Sequence, residues 1–110
     1  MNINIDGKKY SVSLEDNRAV KELISRLPLE LEMNELNGNE KYYYLDESLP
    51  ASLERVSRIK KGDIMLYGDD CLVIFYEPFN TSYSYTRIGR IDNIEDLNLG
   101  SGKISVLFSE

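Results

Sequence analysis

The chain has 110 residues, 42% of them hydrophobic and 29% charged, so we expect one globular domain over residues 1–110 with its own core. Its net charge is −6 and its 13 lysines and arginines are scattered, which argues against a nucleic-acid partner and an anionic membrane surface. It has no histidine and one cysteine, which excludes His-dependent triads, His or Cys-rich metal sites and an internal disulfide, and we expect no metal or cofactor.

The first predicted element is a β-hairpin. Residues 2–6 and 9–14 alternate between polar and apolar side chains, and the Asp6-Gly7 pair between them is a strong hairpin-turn signal. Because this segment lacks a basic start and a long apolar run, we do not expect it to be a signal peptide. No later run approaches the roughly 20 apolar residues of a membrane span. With its lone cysteine, the chain is expected in the cytoplasm.

One α-helix is predicted, over about 17–26. Asp16 is the candidate N-cap, because its carboxylate can accept the free amide hydrogens of the first turn. Pro28 cannot donate a backbone hydrogen bond and disfavours helix before it, so the helix ends there. The apolar stripe at helical spacing consists of Ala19, Val20, Leu23, Ile24 and Leu27.

Two strands and a turn follow the helix. Residues 29–34 alternate as a strand with one wet face, Asn37-Gly38-Asn39 marks a turn, and 41–45 is a Tyr-rich strand. Residues 46–61 are predicted to be irregular, with a short helical turn at 53–56.

The second half of the chain is also predicted to be mostly extended. Residues 71–76 are apolar throughout, which indicates a central strand covered on both faces. The other predictions are strands at 64–67, 86–91 and 103–108, a turn at 68–70, a loop at 77–84 and a short helical turn at 93–97. Seven or eight short strands with one helix favour a barrel or a sandwich.

The order and spacing of these pieces resemble the cyclophilin-like family of small bacterial proteins. The most specific matches are Asn37-Gly38-Asn39-Glu40 before the tyrosines, Gly62-Asp63, the run 71–75 and Ile88-Gly89-Arg90-Ile91. The resemblance covers nearly the whole chain. It implies a mostly β fold, a closed eight-stranded antiparallel barrel with one main helix and short helical turns capping its ends.

The resemblance does not carry the isomerase machinery of true cyclophilins. Their catalytic arginine lies in a Phe-His-Arg motif on the strand after the first helix, and residues 29–45 here contain neither arginine nor histidine. Their glutamine, tryptophan and pocket histidine also have no counterpart, because the chain lacks all three residue types. We therefore expect weak or absent prolyl isomerase activity and assign no catalytic residue.

Several polar or reactive residues have simple structural interpretations. Cys71 begins the most apolar strand and is interpreted as a small core residue rather than a nucleophile. Asp69-Asp70 is typical of a hairpin turn rather than a cation site. Glu30, Glu32 and Glu40 are expected on a solvated strand face, and Arg87 and Arg90 in surface ion pairs rather than binding a carboxylate.

The tyrosines suggest a binding surface. Period two sends Tyr42 and Tyr44 to one face of their strand and Tyr43 to the other. The loop 77–85 carries three further aromatics, which either line a pocket or pack down over the barrel mouth. The candidate pocket, on the wall where a cyclophilin binds its peptide, consists of Met33, Asn34, Glu40, Tyr42, Tyr44, Phe75, Phe79, Tyr83 and Tyr85.

The leading hypothesis is a peptide or small-molecule binding module. The alternatives are a divergent prolyl isomerase or another weak enzyme that uses Glu and Tyr as acid and base, and a structural protein that forms a homodimer through its aromatic loop. The sequence leaves open whether the chain is a monomer or a homodimer.

Overall fold

The computed structural model describes residues 1–110 and consists mainly of antiparallel β-strands. It contains one α-helix, α1 (Arg18–Ser25), and a 3-10 helix (Ile94–Asp96), and no helix combines the length and apolar character needed to cross a membrane. The strands are β1 (Asn2–Ile5), β2 (Lys8–Leu14), β3 (Leu29–Leu36), β4 (Glu40–Tyr44), β5 (Glu54–Arg55), β6 (Arg58–Ile59), β7 (Asp63–Tyr67), β8 (Cys71–Phe75), β9 (Phe79–Asn80), β10 (Ser84–Ile91) and β11 (Ile104–Ser109).

Eight of the strands form a closed barrel, as the sequence predicts. Their order is β2-β1-β11-β3-β4-β8-β7-β10, and a further pairing of β10 with β2 closes the sheet. Strand β10 makes this possible because it pairs along both edges. Residues 86–90 pair with β7 on one edge, and residues 84–85 and 89–91 pair with β5 and β2 on the other. Strand β5 lies outside the barrel, and β6 and β9 form a separate two-stranded sheet.

Strand β10 contains a β-bulge at the point where it also begins to pair with β2. The register with β7 shifts between Arg87 and Gly89, and Gly89 then lies opposite Leu14 of β2. A Cβ atom at residue 89 would lie 2.5 Å from the backbone oxygen of Ser13. The backbones of β10 and β2 therefore approach each other more closely than any residue but glycine allows.

The barrel interior holds the larger apolar core. Inward-facing side chains such as Ile3, Leu72, Ile74, Val106 and Phe108 are almost completely buried. Helix α1 covers one end, because Ala19, Val20 and Leu23 belong to the same buried cluster. Residues 94–102 cover the other end, where Leu97 and Leu99 join the cluster.

The N-cap of α1 is Asn17 and not Asp16 as the sequence suggested. The Asn17 side chain accepts a hydrogen bond from the Val20 amide at 2.9 Å and donates one to the Arg87 carbonyl at 2.7 Å. Asp16 is exposed and lies 3.9 Å from Lys21. Both residue types can cap a helix, but only Asn offers an acceptor and a donor together, and the donor fixes the helix to β10.

The segment 46–61 also differs from its prediction. The helical turn expected at 53–56 is wrong: Glu54 and Arg55 are extended and pair with Tyr85 and Ser84 of β10. Ser57 follows with a positive φ of 62°. Tertiary pairing with β10 thus overrides the local sequence pattern. The predicted loop 77–84 likewise contains the short strand β9, which pairs with β6.

A lysine is fully buried at the barrel end opposite α1. The Lys41 ammonium donates hydrogen bonds to Glu35 Oε1 at 2.7 Å, the Gly100 carbonyl at 2.8 Å and the Gly102 carbonyl at 2.6 Å. It also lies 5.1 Å from the centroid of the Tyr76 ring. All three ammonium hydrogens are therefore used, which is the condition under which a buried charge is tolerated.

Glu35 is the counter-charge of Lys41. Partial burial opposes its ionisation, but hydrogen bonds from Lys41, the Tyr76 hydroxyl and the Gly38 amide prevail and lower the pKa of Glu35. Burial and the Glu35 carboxylate raise the pKa of Tyr76 to about 12. The cluster therefore holds one ammonium, one carboxylate and one neutral phenol at neutral pH.

We expect Gly89→Ala to lower the free energy of unfolding by about 1–3 kcal/mol, because the added methyl group meets backbone that cannot move freely. Urea denaturation followed by circular dichroism measures the change. Ser105→Ala, at an exposed position of β11, is the matched control. Equal stability of the Gly89→Ala protein and the wild type would contradict the close approach of β10 and β2.

We expect Lys41→Met to cost about 3 kcal/mol at neutral pH, because it leaves Glu35 and two carbonyls without their donor. The lowered pKa of Glu35 stabilises the fold above the ordinary value of 4.5, and this contribution is lost as the pH falls through the native pKa. The stability difference between wild type and Lys41→Met should therefore narrow below pH 4.5. Urea unfolding at pH values above and below 4.5 measures this difference, with Lys103→Met as the exposed-lysine control. A stability difference that does not change with pH would contradict the role of Glu35.

Candidate functional site

A second apolar cluster lies on the outer face of the barrel. Strands β4, β8, β7 and β10 are neighbours, and their alternation directs every second side chain outward. The outward side chains of β8 are buried because other segments cover them, which explains why this strand has no polar position. The buried members of this outer cluster are Val56, Ile59, Met65, Cys71, Val73, Phe75 and Tyr85.

The segments 54–59 and 79–85 cover this face. They are joined by the β6–β9 pairing and by a hydrogen bond from the Thr81 amide to the Ser57 carbonyl at 2.9 Å. The Phe79 ring packs on Phe75 with centroids 5.5 Å apart, and Tyr85 meets Phe75 edge-to-face at 5.7 Å. Phe75 thus anchors the cover to the barrel wall.

The cover leaves a cavity between itself, β4 and the β3–β4 turn. Its volume is about 370 Å³, and most of its lining residues are apolar or aromatic. We call it the aromatic cavity. The residues that line it are Leu36, Asn37, Asn39, Glu40, Tyr42, Tyr44, Tyr67, Cys71, Val73, Phe79, Tyr83 and Tyr85.

The tyrosine rings of the cavity meet at steep angles. Tyr42 and Tyr44 are 5.8 Å apart at 76°, as expected for neighbours on one strand face. Tyr67 contacts both Tyr83, at 5.8 Å and 71°, and Tyr85, at 5.7 Å and 56°. Rings in these orientations form corners that bound space from several directions, and Tyr44 and Tyr83 are about 60% exposed at the rim.

The one charged side chain in the lining of the cavity is the carboxylate of Glu40. Glu40 is partly buried, and its burial, followed by the nearby Glu35 carboxylate, raises its pKa. No lysine or arginine lines the cavity. Burial also raises the pKa of Tyr85.

Cys71 is an unreactive thiol in this setting. Burial, with the Asp70 and Glu40 carboxylates, raises its pKa from 9.0 to about 11, against the opposing effect of a hydrogen bond with Tyr44. The charge of Cys71 is in turn the main cause that raises the pKa of Tyr44. At neutral pH both groups are neutral, so neither is a nucleophile or a base.

Six of the nine residues predicted for the pocket lie together in the cavity: Glu40, Tyr42, Tyr44, Phe79, Tyr83 and Tyr85. The other three lie elsewhere. Met33 is in the barrel interior, Phe75 is completely buried beneath Phe79 and Tyr85, and Asn34 lies opposite Tyr42 on β3 but does not line the cavity.

Sequence reasoning did not name the remaining half of the lining. Tyr67 had a usable signal, because alternation along β7 places it on the face opposite Ile64 and Leu66. Asn37 and Asn39 were interpreted only as turn residues, and Cys71 only as core. Their place at the cavity follows from the pairing of β4 with β8, which the local pattern does not encode.

The other candidate residues have structural roles. Asp69 and Asp70 lie in the β7–β8 turn, Glu30 and Glu32 are exposed on β3, and Arg87 pairs with Glu54. The ion pair expected for Arg90 is absent, and this residue instead lines a second cleft of about 280 Å³ together with Arg58, Lys60, Arg87, Glu15 and Asp63. No group of three or more Cys, Asp or Glu side chains is arranged to hold a metal ion.

We expect Cys71 to resist alkylation by iodoacetamide at neutral pH in the native protein. A pKa of about 11 makes the thiolate roughly a hundred times scarcer than in an ordinary thiol, and burial limits access. Mass spectrometry measures the extent of reaction, with the urea-unfolded chain as the reactive control. Equal rates in the folded and unfolded states would contradict the placement of Cys71.

Comparison with known proteins agrees with this architecture. Searches of curated proteins and of solved structures find no significant match. A family model described as the cyclophilin-like family matches residues 3–109, almost the whole chain. The match supports the resemblance inferred from the sequence motifs and from the closed barrel. The chain therefore belongs to the cyclophilin-like family.

Proposed function

We propose that this protein is a binding module that takes a peptide segment or a small molecule into the aromatic cavity, without efficient prolyl isomerase activity. The observation that carries the proposal is a cavity of about 370 Å³ lined mainly by apolar and aromatic side chains with a few polar groups. This size and composition are typical of ligand sites, where apolar area gives affinity and a few polar atoms give orientation. Tyrosine suits the role because it loses little conformational entropy on binding.

The chemistry of the cavity argues against efficient isomerisation. Rotation about an amide bond has a barrier of roughly 20 kcal/mol, and a catalyst lowers it by stabilising the twisted amide with a positioned donor. No lysine or arginine is available there. The remaining donors are tyrosine hydroxyls, a neutral thiol and asparagine amides, which are weaker than a guanidinium.

One observation favours a weak enzyme as the second candidate. Glu40 is a partly buried carboxylate of raised pKa among tyrosines, which is a setting used for general acid–base catalysis. No partner for such a reaction, such as a nucleophile activated by a base, lies beside it. Catalysis through Glu40 therefore remains second to binding.

The exposed tyrosines also fit the homodimer alternative. Tyr44, Tyr67 and Tyr83 are exposed together at the cavity rim, and a second copy seated there would bury them. Light scattering over a concentration series decides between the two. Binding to a monomer supports the module, whereas a stable dimer that blocks the cavity supports the structural role.

We expect a set of small aromatic and amide fragments to perturb amide resonances around the aromatic cavity. Tyr83→Ala removes one wall and should weaken binding of any such fragment roughly ten-fold, about 1.4 kcal/mol. Protein-observed NMR measures both effects. Leu53→Ala is the matched control, since Leu53 precedes the cover, is similarly exposed and does not line the cavity. Perturbations confined to other surfaces would contradict the proposal.

We expect a proline-containing tetrapeptide to isomerise at nearly its spontaneous rate in the presence of this protein. The physical reason is the absence of a cationic donor in the cavity. A protease-coupled or NMR exchange assay gives the rate. Clear acceleration that disappears in Glu40→Gln or Tyr42→Phe would instead establish an enzyme.

A further inference from the structure

The charges in the aromatic cavity are unbalanced, because its lining holds a carboxylate but no cationic side chain. Glu40 is the single carboxylate in the lining, and no lysine or arginine pairs with it. Lys41, the next residue, is directed into the barrel, where Glu35 and two carbonyls already use its hydrogens. A partly buried carboxylate without a partner favours a ligand that brings positive charge.

Asn39, the residue before Glu40, also has an acceptor without a donor. It borders the cavity, and its Oδ1 atom is buried and receives no hydrogen bond within the protein. Because this oxygen has almost no accessible surface, a ligand in the cavity does not reach it. Glu40 is therefore the acceptor that the cavity presents to a charged ligand.

The aromatic walls suit a cation better than a neutral or anionic group. A ring face carries partial negative charge and attracts ammonium or guanidinium groups within about 6 Å of its centroid. Tyr42 with Tyr44, and Tyr67 with Tyr83 and Tyr85, meet at angles of 56–76°, so the walls face the cavity from different directions. Rings at such angles offer no single flat wall, which suits a compact cation better than a flat ring.

The electrostatic potential around the cavity also favours a cationic ligand, because the surrounding charges are negative. The chain carries a net charge of −6. Asp70 acts on Tyr44 and Cys71, and Glu40 acts on Cys71 and Tyr85; both carboxylates raise the pKa of their neighbours, and no cation opposes them. A cationic ligand is thus attracted at long range, and its charge is neutralised by Glu40 when it binds.

We propose that the aromatic cavity selects ligands bearing an organic cation, an ammonium or guanidinium group held between the tyrosine rings with Glu40 as its counter-charge. The inference rests on the proposed binding function and adds the chemical class of the ligand. The cation comes either from a free amine or from a lysine or arginine side chain of a peptide. Acidic ligands are disfavoured in this cavity because Glu40 repels them.

Choline and its neutral isostere, in which carbon replaces the ammonium nitrogen, test the charge preference at constant shape. The protein has no tryptophan, and five of its eight tyrosines line the cavity, so a change in tyrosine fluorescence measures binding. We expect choline to bind at least roughly ten-fold more tightly than the isostere, and its affinity to fall as salt is added. Blocked lysine and arginine amides, compared with choline, distinguish a peptide side chain from a free amine.

Matched variants locate the effect. Glu40→Gln should weaken choline binding roughly ten-fold and leave the isostere unchanged, whereas Glu32→Gln removes an exposed carboxylate outside the cavity and should change neither. Tyr44→Leu should weaken choline binding while Tyr44→Phe retains it, because the ring face is what the cation contacts. Tyr44 is exposed, so neither variant threatens the fold.

The outcomes separate this inference from the proposed function. Equal affinity for choline and its isostere, or equal choline affinity in Glu40→Gln and wild type, would overturn the cation preference. If neutral fragments still bind the cavity in that case, the binding function stands without it. If neither cations nor neutral fragments bind, both fail together.

Discussion

The pairing of β10 with β2 is the constraint on which the rest of the structure depends, because it turns an open sheet into a barrel. An open sheet would leave both edges unpaired and one face without a defined core. Closure at Gly89 gives the chain an inside and an outside. The inside holds the main apolar core, and the outside of four neighbouring strands becomes available for a second cluster and the cavity above it.

Strand β4 connects these two environments. Its residues alternate, so Glu40, Tyr42 and Tyr44 face the aromatic cavity while Lys41 faces the barrel interior. The Lys41 ammonium therefore has a counter-charge and a full set of hydrogen bonds, whereas the Glu40 carboxylate has no counter-charge. Lys41 is paired with Glu35, whereas the adjacent Glu40 has no cationic partner. The missing partner is therefore specific to the aromatic cavity.

Much of the fold is visible in the sequence because the local patterns agree with the barrel. The hairpin turn at Asp6-Gly7, the helix before Pro28 and the apolar strand 71–75 all lie where the patterns place them. The wrong predictions lie where tertiary contacts decide the local structure. Asn17 is chosen over Asp16 by its contact with the Arg87 carbonyl, and Glu54 and Arg55 are extended because β10 supplies a partner.

The candidate site is less predictable for the same reason. Period two identifies Tyr42 and Tyr44 as neighbours, but it gives no information about which strand lies beside them. Met33 and Phe75 share the apolar character of pocket residues and are buried elsewhere, one inside the barrel and one under the cover. The unsatisfied acceptor at Asn39 emerges only when the whole turn is packed.

The position of β11 has a consequence for synthesis in the cell. This strand lies between β1 and β3 and pairs with both, so Asn2 lies opposite Ser109. Until residues 104–109 leave the ribosome, β1 and β3 have no common partner and each exposes an unpaired edge. The first hairpin of the nascent chain therefore stays without its β11 partner during most of translation. The long-range pairings of β11 with β1 and β3 form only after this strand has been translated.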